Sequence, residues 1–128
     1  MSEVHPKGWG EELWIVNSPL YCGKRFVVHK YRRCSLHYHK LKDETFFLES
    51  GKLLIELTAA GADGTPHGPL HELILTPGKS IRLSPFTLHR FTGLEDSVVF
   101  EFSTQHFEED SYRMEDGDSQ KMDVKPTE

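Results

Sequence analysis

Short alternating segments constrain this chain more than any other feature. Residues 13–16, 24–31, 44–48, 52–58, 70–75, 80–83, 89–91 and 97–102 are rich in β-branched and aromatic side chains, and turn-forming residues separate them. Gly51 closes a predicted hairpin turn over 49–51, residues 60–69 form a glycine- and proline-rich loop, and 76–79 and 93–96 read as further turns. No stretch carries apolar residues at a period of 3.6 over a helical length, and 104–113 has room for one short turn. Short strands at even spacing predict an all-β protein, an antiparallel sandwich or barrel. At 128 residues the chain makes one domain, expected over 1–113. From Met114 onward no apolar periodicity remains, so 114–128 is expected to be a mobile tail.

Four residues in this strand pattern suggest chemistry. His37 and His39 are separated by one residue, so both imidazoles leave one face of a strand. Glu44 lies five positions beyond His39 and would leave the opposite face of a straight strand. The polar stretch 40–43 is able to turn the chain and return Glu44 to the histidines. His89 arrives from a distant strand. Three imidazoles and a carboxylate converging inside a barrel would hold a divalent transition metal with coordination positions left open. Manganese, zinc, iron and nickel all accept such ligands, so the residues do not fix the metal. The competing reading is four structural side chains without an ion.

Composition excludes several partners. A formal net charge of −5 opposes binding to nucleic-acid phosphates. The longest apolar runs fall far short of a membrane span. The first residues lack the basic-then-apolar layout of a signal peptide, which leads to an expected cytoplasmic location. Cys22 and Cys34 are expected to be reduced, buried thiols rather than a disulfide.

The spacing from His37 through His39 and Glu44 to Gly51 resembles the first motif of the cupins. Tyr31 stands where that motif opens with glycine. Gly78, Ser84, Phe86 and His89 resemble the second motif, with Ser84 and Phe86 where proline and glycine are usual. The resemblance covers about residues 24–104 and implies a double-stranded β-helix, the cupin jelly-roll barrel. The stretch from Lys7 to Trp14 resembles the opening of sugar-handling cupins, with Gly8 in place of a proline. The stretches 17–24, 34–39 and 42–46 are similar to small cupins of bacterial sugar biosynthesis and, more distantly, to mannose-6-phosphate isomerase-type cupins. His37, His39, Lys42 and Glu44 together are similar to the metal motif of cupin lyxose isomerases, in which a lysine lies beside the metal.

The resemblance implies a sugar or sugar acid as partner. It also implies isomerisation or epimerisation, with a proton moved beside a carbonyl that the metal polarises. Lys42 and Glu101 are the candidate catalytic pair. A lysine near a dication would lose proton affinity, and Glu101 resembles the late-strand acid of sugar cupins. Lys42 reads equally as a solvated turn lysine, and Glu101 and Glu56 as outward-facing strand carboxylates. Trp9 and Trp14 are expected in the core or at a dimer contact. His5, His29, His67, His71 and His106 are expected at the surface or in loops. Arg82 and Arg90 are weaker candidates for binding an anionic sugar group. Two other functions use the same residues: a metal-dependent dioxygenase or lyase, and a metal-stabilised sugar-binding or regulatory module without turnover. The segment 13–16 is the expected edge through which a homodimer forms.

Overall fold

The computed structural model describes residues 3–121. Eleven strands form two antiparallel sheets. They are β1 (Glu3–Lys7), β2 (Gly10–Asn17), β3 (Cys22–Val28), β4 (Leu36–Tyr38), β5 (Glu44–Ser50), β6 (Leu53–Ala59), β7 (His71–Leu75), β8 (Ser80–Leu83), β9 (Thr87–Gly93), β10 (Ser97–Ser103) and β11 (Tyr112–Glu115). A 3₁₀ turn at Glu108–Asp110 and a single helical turn, α1 (Asp118–Lys121), complete the described chain. One sheet runs β1-β2-β3-β10-β5-β8 and the other β11-β4-β9-β6-β7. No described helix is long and apolar enough to cross a membrane.

Period-two alternation explains how the sheets bury their faces. In β3, Cys22, Lys24, Phe26 and Val28 are buried while the residues between them are only partly covered. In β5, Glu44, Phe46 and Leu48 point inward in the same way. Rows of inward side chains run across the six-stranded sheet. One row, Glu12-Phe26-Val99-Leu48, is mostly apolar. The next, Trp14-Lys24-Glu101-Phe46, carries two charges. Beyond it, Cys22, Ser103 and Glu44 stand side by side. One end of the barrel is therefore a packed core of Phe26, Leu48, Leu53, Ile55, Phe91 and Val99. Burying each such side chain is worth about 1.5–3 kcal/mol. The other end is polar on the inside.

The turns explain two departures from the cupin motifs. Gly51 has φ 93 in the β5–β6 turn, and a Cβ there would collide with the Ser97 hydroxyl. Tyr31 and Phe86 take the left-handed conformation as well, at φ 66 and φ 63. Each stands where the motif has glycine, so the backbone shape is kept without the residue that adopts it most easily. Hydrogen bonds hold both positions. The Tyr31 N–H donates to Gly93 O at 2.7 Å, and the Phe86 N–H donates to His39 O at 2.8 Å.

Two strands were not expected, β1 and β11, whereas the strand read at His37 and His39 is β4, which ends at Tyr38. β1 pairs along its whole length with β2 and covers Leu13 and Trp14, so among the described residues β1 is the outermost strand of this sheet. The segment expected to begin a tail at Met114 instead continues β11 against β4 and then forms α1. Its polar side chains fasten it: Asp118 accepts the Arg33 N–H at 2.8 Å, and Ser119 Oγ accepts the Gly8 N–H at 2.9 Å. The rest of that expected tail, 122–128, lies outside the described residues. Both cysteines are buried free thiols.

Candidate metal centre

His37 on β4 lies directly across from His89 on β9. His39 follows just past the end of β4, and Glu44 opens β5 on the other sheet. The three histidines offer nitrogens that all lie within 4.8 Å of one another. Each ring is oriented by its Nδ1–H, which donates to a backbone carbonyl: His37 to Ser35 at 2.8 Å, His39 to Asp110 at 2.7 Å and His89 to Thr87 at 2.8 Å. This tautomer leaves each Nε2 lone pair free. Burial and the two neighbouring imidazoles push the His37 pKa well below its ordinary value, so its ring stays neutral.

Glu44 Oε2 lies 3.2 Å from His39 Nε2 and 3.3 Å from His89 Nε2. Among the described residues neither Glu44 Oε2 nor His89 Nε2 has a hydrogen-bond partner, although both are fully buried. In this tautomer the three atoms meet as acceptors, with no proton between them. Acceptors brought together without a donor repel unless a cation sits between them. The donor set of three imidazole nitrogens and one carboxylate oxygen fits a divalent transition ion.

Asp110 makes the return of Glu44 possible. Its Oδ1 accepts the N–H groups of Lys40 at 2.9 Å and Leu41 at 3.1 Å, and its Oδ2 accepts Leu41 at 3.3 Å and Lys42 at 2.9 Å. One buried carboxylate thus organises the polar turn over 40–43, while its own carbonyl holds His39. That turn breaks the strand alternation that would have sent Glu44 to the wrong face.

Lys42 and Glu101 are both buried inside the barrel. Lys42 Nζ donates to Glu101 Oε2 at 3.1 Å and to His106 Nδ1 at 3.2 Å, and lies 3.6 Å from Glu44 Oε1. Ser103 Oγ donates to the same Glu101 oxygen at 2.8 Å. Lys42 is therefore not a solvated turn lysine and Glu101 is not an outward-facing carboxylate. Phe102, the neighbour of Glu101, is the exposed residue, at 57%. Burial alone would lower the Lys42 pKa, but Glu101 and Glu44 raise it above its ordinary value, so the structure holds it as an ammonium. Burial alone would raise the Glu44 pKa. The Lys42 ammonium pulls it well below the usual range instead.

The weaker candidates lie elsewhere. Arg90 and Glu56 pair with each other on the outer face at 2.8 Å, and Arg82 pairs with Asp43 at the surface at 2.7 Å. Trp9 is in the core. Trp14 lines the cavity in front of the candidate centre, together with Glu12, Lys24 and His106. His106 lies in the loop after β10, as expected, and its ring lines this cavity. The sequence carried a signal for Lys24, because it alternates in register with Cys22, Phe26 and Val28. It carried none for Asp110, which follows two exposed glutamates.

No family model matches the chain. The D-lyxose ketol-isomerase of Cohnella laeviribosi is 31% identical over 106 residues, which span 70% of this chain and 58% of that protein. The D-lyxose/D-mannose isomerase of Thermosediminibacter oceani is 31% identical over 114 residues, 76% of this chain and 63% of that protein. The chain thus spans about three fifths of the curated relatives it matches. Its backbone superposes on the capsular polysaccharide assembling protein CapF from Staphylococcus aureus with a TM-score of 0.76, at 15% identity, covering 90% of this chain and 32% of that one. The chain has the cupin fold. In this cupin the candidate ligands lie where the two sheets meet at the polar end of the barrel, and the departures at Tyr31 and Phe86 leave them gathered.

Proposed function

We propose that this cupin binds a divalent transition metal through His37, His39, Glu44 and His89 and isomerises or epimerises a monosaccharide or sugar acid. The observation that carries the reading is the buried, donor-free meeting of Glu44 Oε2 with the imidazole nitrogens, beside a lysine–glutamate pair in the same cavity. The similarity to sugar isomerases supports the choice of reaction. An ion held there would supply Lewis acidity to a neighbouring carbonyl oxygen.

The protein's own groups would then move the proton. Glu101 takes a proton from the hydroxyl-bearing carbon beside the carbonyl and returns it to the former carbonyl carbon, while the proton of that hydroxyl passes to the former carbonyl oxygen. In an epimerisation a second acid on the opposite face returns the proton. No oxidant or reductant is consumed. Lys42 remains an ammonium and donates to oxygen as negative charge grows there. Ser103 and Lys42 orient the carboxylate of Glu101. The barrel walls limit the access of water.

Metal analysis of purified protein, followed by NMR in deuterated water against free and phosphorylated sugars, tests the reading. Exchange of a carbon-bound proton beside a carbonyl, lost in Glu44→Gln together with the metal, is the expected result. Full metal occupancy without exchange on any sugar would overturn the isomerase reading. Oxygen consumption with ferrous iron would favour the dioxygenase.

A further inference from the structure

Lys24 has no explanation in the chemistry above. Its side chain is 2% exposed, yet its ammonium makes no hydrogen bond among the described residues. The nearest carboxylate oxygen, Glu12 Oε1, lies 3.6 Å away, outside hydrogen-bond range. The ammonium sits 4.3 Å from the centre of the Trp14 ring. An ammonium that faces the cavity with no carboxylate in hydrogen-bond range keeps its donors for whatever fills that space, water or ligand. Lys24 lines the same cavity as His37, His39 and Glu44, so the missing acceptors can come from a ligand there.

The surroundings select the kind of acceptor. Glu12 Oε1 accepts the Trp14 Nε1–H at 2.8 Å, which fixes the ring and the carboxylate together. Burial alone would raise the Glu12 pKa, but Lys24 and Lys7 bring it below the ordinary value, so it is a carboxylate. An anionic group brought to Lys24 would meet this second negative charge. A hydroxyl suits both groups, because it accepts from Lys24 and donates to Glu12. The Trp14 ring stacks on His5 at 4.1 Å and carries the Lys24 ammonium over its ring, so it fixes the position of this corner. The cavity, at about 180 Å³, is smaller than the roughly 300–1,000 Å³ pockets of drug-sized ligands and suits a single sugar unit.

A continuous wall joins this corner to the ligand centre. Lys24 is the register partner of Glu101 on one side and of Trp14 on the other. Trp14 meets the His106 ring at 5.1 Å between centroids, and His106 accepts from Lys42. We propose that Lys24 and Glu12, backed by Trp14, form a hydroxyl-recognition subsite that holds the non-reacting end of a monosaccharide. The proposal rests on the sugar-isomerase reading for its substrate, but its geometry does not depend on turnover.

The test uses xylitol, a polyol without a carbonyl, so binding is read apart from catalysis. Metal-loaded full-length protein is titrated with xylitol by calorimetry or saturation-transfer NMR, alongside K24M and E12Q. The expected result is at least tenfold weaker xylitol binding in K24M and several-fold weaker in E12Q, with metal content unchanged. On a sugar that shows proton exchange, K24M should lose kcat/KM chiefly through KM. If K24M does not fold, E12Q alone decides. Binding of xylitol equal to wild type in folded variants, or no binding to the wild type, overturns the subsite. Lys24-dependent xylitol binding without proton exchange on any sugar would sink the isomerase reading and keep the subsite.

Discussion

Removing the Asp110 carboxylate should damage both the fold and the candidate centre. Three backbone N–H groups donate to it, and they differ in their access to water. Leu41 is 66% exposed, so water replaces its partner cheaply. Lys42 is 4% exposed, and its N–H would be left buried without an acceptor. Such an orphaned donor costs about 1–3 kcal/mol, and the half-buried Lys40 N–H adds about 1 kcal/mol. Asp110→Ala is therefore expected to destabilise the metal-free protein by about 2–4 kcal/mol in urea unfolding. Asp110→Asn keeps one acceptor oxygen but sets an NH₂ against a backbone N–H, at about half that cost. The same turn carries the chain from His39 to Glu44. Loss of a group that orients metal ligands typically weakens metal affinity by about 10–100-fold, and that range is expected here in a zinc or manganese titration. A loss under about 0.5 kcal/mol in Asp110→Ala would refute the assignment of these bonds. A large loss of stability with unchanged metal affinity would refute the coupling between turn and centre.

Three further outcomes follow from single residues. Tyr31 is 74% exposed in a left-handed conformation, so Tyr31→Gly should be more stable than Tyr31→Ala by about 0.5–1 kcal/mol in thermal or urea unfolding, whereas ordinary extended positions favour alanine. Burial, with Lys24 and Lys42 nearby, pushes the His106 pKa down to about 2, while the unfolded chain binds a proton near the ordinary value of 6.5. His106 therefore contributes stability above about pH 6.5 that is lost as pH falls towards about 2, and His106→Gln should make this acid-side decline shallower by up to one bound proton. Burial pushes the Cys34 thiol up to about 12, so it should resist alkylation at about pH 8 until the protein unfolds; rapid labelling of native protein would contradict this.

Much of the architecture was legible before any coordinates. Alternation marked β5, β6, β8 and β10 to within a residue or two, because one face of each strand is apolar and local. β1 and β11 carry no such pattern. They are held by pairing with β2 and β4 rather than by a buried face of their own. α1 was unreadable because polar anchors, not apolar periodicity, fasten it to the barrel.

The candidate ligands stood out because spacing on a strand fixes direction. Where those side chains meet was not. Glu44 reaches the histidines only because a carboxylate 66 positions later along the chain, on Asp110, folds the intervening turn. Glu101 looks like an outward residue beside Phe100 and Phe102, and only barrel closure sets it inside, paired across the sheet with Lys24. Local chemistry chose the strands and the residue types of the candidate metal centre. Tertiary contacts between distant segments decided which charges are buried together, since burial is a property of the closed barrel and not of any one strand.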